Sequence, residues 1–352
     1  MNEQALNAVY LFIAELMGYK QGTVANKLVF GQECYAKQAL PEVTEEHLHE
    51  VIWLERLYKE LDKLNMHRLM ELPDDQFHWS VPIELDCSGS MISYMGVLLG
   101  DKRMLEATNA AGDDEQLRDP WHIDGLTRNH VKKACTPKLY GSGQTVHALW
   151  VNNKLDYTSE DLNLMNQEMK TGMFGTADKF KEFIINNCNP KPVMTVRVWN
   201  DTFEIKCNRH TRIGETPVKY DLFDTESGGI KRITHMKTKA IPDLEGFRRF
   251  FVTCLIHGLD SQVMDTVAGK CFDKYGFAID IHDALICSPL AAADVRMWYA
   301  EEMDKIYVNR KEILSNYFSS IGVTAMSMKE WEAVNDSVFK IDEFKCRGAV
   351  LK

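Results

Sequence analysis

Two acids at strand ends and a row of cations along a helix are the side chains of this 352-residue chain best suited to chemistry. The row lies in LTRNHVKKACTPKLYGSG, residues 126–143, where Arg128, Lys132, Thr136 and Tyr140 recur every four positions and so share one side of a helix. Two cations on that side can hold the phosphates of a nucleotide while the phenol touches its sugar. Taken alone, the stripe also describes a solvated basic helix face. The acids are Asp86, which ends VPIELD, and Asp283, which with His282 separates FAIDI from ALICSP. Phosphoryl transfer to a sugar hydroxyl uses two divalent cations about 3.5–4 Å apart, and carboxylates from separate strands can bridge such a pair. Two apolar strands with an acid at their tip are costly to bury unless that acid meets a cation, which makes Asp283 a metal ligand. Asp86 has a plainer alternative as the cap of the next helix. A His-Asp pair also occurs in metal-dependent phosphohydrolases, but there on a helix with further His ligands, which the flanking apolar strands count against.

The elements that would position these groups follow from periodicity. Leu6 to Leu16 predicts a first helix stopped at Gly18, and Thr44 opens a second that carries Leu48, Val51, Leu54, Leu57 and Leu61. Pro82 places the strand before Asp86 at the start or edge of a sheet. Gly141, Ser142 and Gly143 end the cationic helix, and Pro137 predicts a kink between Lys132 and Tyr140. Helices follow over 158–170 and 177–187. From Met194 the apolar period changes to two, in a hairpin decorated by Lys206, Arg209, Arg212 and Lys219. Asp243 caps a helix that carries Phe247, Phe250 and Phe251 and leads to His257, with Gly276 stopping the next one. A long amphipathic helix covers 291–318.

Composition is that of an ordinary globular chain, 45% hydrophobic with a formal net charge of -10. That charge argues against nucleic acid only weakly, because a binding channel needs local positive charge; from Lys191 to Arg249 basic residues outnumber acidic ones twelve to eight. Nine cysteines without a C-x-x-C pair fit neither a disulfide framework nor a zinc ribbon and indicate a reducing compartment. No apolar run reaches the roughly 20 residues of a membrane span, and the N-terminus has no signal-peptide pattern.

Strand-end Asp86, the Arg-x3-Lys-x7-Tyr-Gly helix and the His282-Asp283 hairpin, in this order, resemble motifs A, B and C of the right-hand polymerases. The pattern is most similar to the single-subunit DNA-directed RNA polymerases of phages and mitochondria, and covers about three quarters of the chain, from Pro82 to the helix after Asp283. The resemblance implies an α+β right hand, with an antiparallel palm sheet and helical fingers, that transfers nucleotides from NTPs to an RNA 3' end on a DNA template with two Mg2+ ions. It implies Asp86, Asp283 and the Cys87 carbonyl as metal ligands, and Arg128 and Lys132 on the triphosphate, with Lys132 also a general acid towards pyrophosphate. Tyr140, Gly141 and His257 fall at the ribose, with His282 in support. The hairpin over 191–242 falls where the family reads its promoter, so Lys206, Arg209, Arg212 and Lys219 are candidate DNA contacts; an ordinary basic surface ribbon is the alternative. The expected divisions are a helical segment 1–80, palm motif A at 81–101, fingers 102–190, this hairpin 191–242, and palm with motif C at 243–352.

Departures from the family pattern matter as well. Met91 stands where the phage enzymes have Gly and where related DNA polymerases have a Glu that blocks the 2'-hydroxyl, which favours ribonucleotides. Only about eighty residues precede Asp86, without the family's Arg-rich palm motif, so the N-terminal domain and thumb are expected from a second subunit. In this the chain resembles the large subunit of the two-chain RNA polymerases of schitovirus phages. A heterodimer follows, with apolar faces of the first two helices as contacts, a single-stranded-DNA-binding recruiter as a further partner, no membrane, and the infected host's cytoplasm as location. The competing readings are a family-A-like DNA polymerase and a non-catalytic DNA-binding subunit with a polymerase fold.

Overall fold

A three-stranded antiparallel sheet carries both acids. Its outer strand β2 (Ile83–Asp86) pairs with β9 (Ala284–Cys287), and β9 pairs with β8 (Ala278–Ile281). Asp86 sits opposite Ala284, the first residue after the tight turn at His282 and Asp283. Alternation puts Ile83, Leu85, Leu285 and Cys287 on one face, all buried, and Glu84, Asp86, Ile279 and Ile281 on the other, which stays open.

The computed structural model describes residues 3–45, 47–112, 116–208, 210–224, 228–334, 341, 343–348 and 351, with the side chains of 210–224, 231–240 and 332–334 outside that description. Before the sheet come α1 (Glu3–Leu16), the short β1 (Gly22–Thr23), α2 (Val24–Ala36) and α3 (Leu48–Leu69). After β2 follow α4 (Ser90–Leu99), α5 (Lys102–Ala107), β3 (Gln116–Leu117), which pairs with β1, and the helices α6 (Arg128–Leu139), α7 (Val146–Asn152), α8 (Ser159–Lys170) and α9 (Gly175–Asn187). Two separate hairpins come next: β4 (Val193–Val198) with β5 (Asp201–Lys206), and the long ribbon β6 (His210–Asp224) with β7 (Gly229–Pro242). The stretch read from sequence as one hairpin is therefore two, because Cys207 and Asn208 leave the first before the second begins. α10 (Leu244–Arg248) and α11 (Phe250–Tyr275) precede β8, and α12 (Ala292–Ser320) and α13 (Ala325–Val334) follow β9.

Helices α4, α11 and α12 form the core beneath the sheet. All ten residues of α4 are buried, as its run SMISYMGVLL requires, and α11 and α12 pack on it and on each other. Gln262 of α11 ties the first hairpin down: its amide donates to Val198 O at 2.9 Å, and its carbonyl accepts from Asn200 N at 3.1 Å. Thr158 and Asp161 form a reciprocal cap at the start of α8, and Gly276, at φ 72°, ends α11.

Several expectations are corrected. α11 is one continuous helix, so His257 lies in its second turn and not at a helix end. α6 continues to Leu139, so Pro137 stands in its last turn and not in mid-helix. α1 turns its apolar face, including Val9, Phe12 and Ile13, into this chain's own core, which removes it as a partner contact. α3 buries Leu54, Leu57 and Leu61 but leaves Leu48, Ile52, Met66 and Leu69 exposed. All nine cysteines are free thiols. Among the described residues no helix is long and apolar enough to cross a membrane.

Candidate active site

The open face of the sheet and α6 enclose a cleft of about 240 Å³ whose lining includes Asp86, Asp283, Arg128, Lys132, Thr136 and Tyr140. Cys87 and Met91 line it too. The four stripe residues of α6 thus face the cleft, as their spacing predicts, and are not a face turned wholly to solvent.

The two acids converge because their strands share β9. The turn joining β8 to β9 is only two residues long, and His282 takes φ 57°, a left-handed conformation uncommon for a residue with a side chain. Cys87 N donates to Asp283 O at 3.1 Å, which fixes the end of β2 against this turn. Asp86 caps no helix: the N-cap of α4 is Gly89, in left-handed conformation and without a side-chain bond. The His-Asp pair lies on a hairpin, not on the helix a phosphohydrolase would use.

The carboxylate of Asp86 opens into the cleft, but its surroundings are anionic. Burial, then Asp283, Glu84 and Glu15, push its pKa up to about 7, against the opposing pull of Lys132. Asp260, on α11 behind the sheet, is raised to about 7 by burial and then by Asp283. A site that raises its carboxylates in this way is deficient in positive charge, and a bound cation would supply it.

Among the described residues no group of three or more His, Cys, Asp or Glu side chains converges as a metal cage. Mg2+ does not need one: it binds through one or two carboxylates together with waters and substrate phosphates. Asp86 and Asp283 offer two such carboxylates to the cleft. The Cys87 carbonyl already accepts from Gly89 N at 2.7 Å, which leaves its second lone pair for a cation. The residues present therefore fit magnesium.

Opposite the acids, Arg128 is oriented by Asp119, whose Oδ2 accepts from Arg128 Nε at 2.7 Å while its Oδ1 accepts from Trp121 N at 3.2 Å. Lys132 makes no ion pair among the described residues, which leaves its ammonium for a ligand. Thr136 Oγ1 is buried and has no hydrogen-bond partner among the described residues. Tyr140 follows the last turn of α6, its ring 5.3 Å from that of His257 in an edge-to-face contact and its hydroxyl bonded to Ser90. Burial pushes that phenol up to about 12, so it is neutral at pH 7. Burial also lowers the His257 pKa, with Asp283 acting in the opposite sense. Gly141 takes φ 90°, and a Cβ there would meet the carbonyl of Arg249 at 2.7 Å.

Three charged cleft residues escaped sequence reasoning. Glu15 and Lys20 come from the end of α1 and the loop after it, and Asp119 from an irregular stretch; no local motif marks any of them. Beyond Tyr140 a second cavity of about 700 Å³ is lined by Gly141, Ser142, Lys206, Arg249, Phe250 and Thr253. Lys206 is the DNA-contact candidate whose side chain is described; it is exposed and pairs with Glu204 at 3.0 Å. Arg212 and Lys219 lie on β6 with side chains outside the description, and Arg209 lies outside the described residues.

No protein-family model matches the chain, and no curated protein is similar enough to it to count as a relative.

Proposed function

We propose that the chain is the catalytic subunit of a DNA-directed RNA polymerase, extending an RNA 3' end with ribonucleoside triphosphates. One observation carries this reading: residues from three distant segments, the carboxylates Asp86 and Asp283 and the cations Arg128 and Lys132 with Tyr140, line one cleft.

In this reading Asp86, Asp283 and the Cys87 carbonyl hold two Mg2+ ions, which supply activation of the attacking hydroxyl and stabilisation of the leaving oxygen. Arg128, held in place by Asp119, and Lys132 bind the triphosphate. Lys132, which lines the same cleft as the acids, would also protonate the departing pyrophosphate. Tyr140 and His257 form an aromatic corner for the ribose, and Met91 brings no acid against a 2'-hydroxyl. A second subunit would supply the parts that hold template and product, and the exposed end of α3 remains available to it.

The test is template-directed extension of an RNA primer on single-stranded DNA by the chain with its partner subunit and Mg2+. Incorporation of ribonucleotides supports the reading. Its absence favours a non-catalytic subunit, and a preference for deoxynucleotides favours a DNA polymerase.

A further inference from the structure

The proposed chemistry leaves unused a chain of polar groups buried on the core side of the sheet. The single hydroxyl proton of Tyr299, from α12, has two acceptors in reach, Cys87 Sγ at 3.5 Å and the Tyr94 hydroxyl of α4 at 3.3 Å. Tyr94 in turn hydrogen-bonds the carboxyl of Asp260 on α11. Both tyrosines are 0% exposed, Cys87 4% and Asp260 9%. Among the described residues, Oδ1 of Asp260 has no hydrogen-bond partner.

As core packing this arrangement is poor, since apolar side chains of the same volume fill such a space without buried polar groups to satisfy. Its location gives it another use. The chain ends on Cys87, the residue immediately after Asp86. Neighbouring residues of an extended segment point to opposite faces, so the Cys87 side chain points into the core while the Asp86 carboxylate opens into the cleft. The backbone of Cys87 is held from above by Asp283 O through its N–H and by Gly89 N through its carbonyl. A bond to the thiol from below completes the restraint, and each of the three supporting helices contributes one member.

We infer that Tyr299 and Tyr94, backed by Asp260, are positioning residues that anchor Cys87 and thereby aim the Asp86 carboxylate and the Cys87 carbonyl at a divalent cation. The inference rests on the polymerase reading for the existence of that cation site. It goes beyond that reading in assigning metal affinity to groups that never touch the metal.

The test is Mn2+ binding to the purified full chain, followed by electron paramagnetic resonance without nucleotide or template, in wild type, Asp86→Asn, Tyr299→Phe and Tyr94→Phe. Loss of a group that orients a metal ligand typically weakens binding about tenfold or more. The expected result is weakening of that size in both phenylalanine variants, with near-UV circular dichroism like that of wild type and much of the loss regained at high Mn2+. Affinity within twofold of wild type in both variants, while Asp86→Asn abolishes binding, overturns the positioning role and leaves the polymerase reading intact. If wild type shows no Mn2+ binding that Asp86→Asn removes, the polymerase reading fails and this inference with it. Should Tyr299→Phe not fold, Tyr94→Phe, one bond further from the cleft, decides alone.

Discussion

The backbone N–H of Cys87 donates to the carbonyl of Asp283 across 3.1 Å, and this bond joins the end of one strand to the turn between two others. It brings two carboxylates from distant segments into one cleft, where Asp283 works against the ionisation of Asp86.

That crowding predicts a pH dependence. The folded-state pKa of Asp86, about 7, lies above the unfolded carboxylate value of about 4, so between these pH values the folded state binds the extra proton. Its contribution is therefore greatest at low pH and is lost as pH rises towards 7. In metal-free buffer at pH 8, Asp86→Asn is expected to stabilise the chain by on the order of 1 kcal/mol, after allowing for water in the cleft. Thermal melts with and without Mg2+ check this: Mg2+ should raise the melting temperature of wild type and leave that of the variant unchanged.

Glu15 behaves in the opposite way. Burial alone would raise its pKa, but Lys27 and Lys20, at 2.7 and 2.5 Å, hold it down to about 2. This stabilisation is present above the unfolded value of about 4.3 and is lost as pH falls through the interval down to 2. Glu15→Gln should cost about 3 kcal/mol at pH 7, as removal of one member of a buried ion pair does, and much less at pH 3. Urea denaturation at the two pH values measures the difference.

Gly141→Ala places a Cβ 2.7 Å from Arg249 O on a backbone at φ 90°. The left-handed conformation alone costs a side-chain-bearing residue about 1–2 kcal/mol, and the contact adds to it. Destabilisation of at least about 2 kcal/mol in urea is expected. A neutral result would mean that the turn after Tyr140 is free to move.

Tyr140→Phe keeps the edge-to-face contact with His257 and removes only the hydroxyl. One hydrogen bond to a ribose hydroxyl is worth about 1 kcal/mol, so discrimination between ribo- and deoxynucleotides should fall about fivefold. Competition between the two nucleotide types measures it; unchanged discrimination removes Tyr140 from that role.

Much of the site is legible in the sequence because its parts are local patterns: a four-residue stripe on α6, an acid at the end of an apolar strand, and a two-residue hairpin tip. α2 was not legible, since its apolar residues follow no clear stripe, although the Thr23 side chain that accepts from Asn26 N marks its start. Glu15, Lys20 and Asp119 were hidden for a different reason. Each reaches the cleft through packing of distant segments, and only the orientation of Arg128 reveals what Asp119 does. The apolar stripe of α1 marks it as packing surface, but a stripe does not say that its own chain covers it.

The most direct test of the account is RNA primer extension on single-stranded DNA, with the partner subunit and Mg2+, by wild type, Asp86→Asn and Asp283→Asn. Ribonucleotide incorporation by wild type is expected, with a loss of more than about a hundredfold in each variant, since each removes a proposed metal ligand. Variants as active as wild type would contradict it.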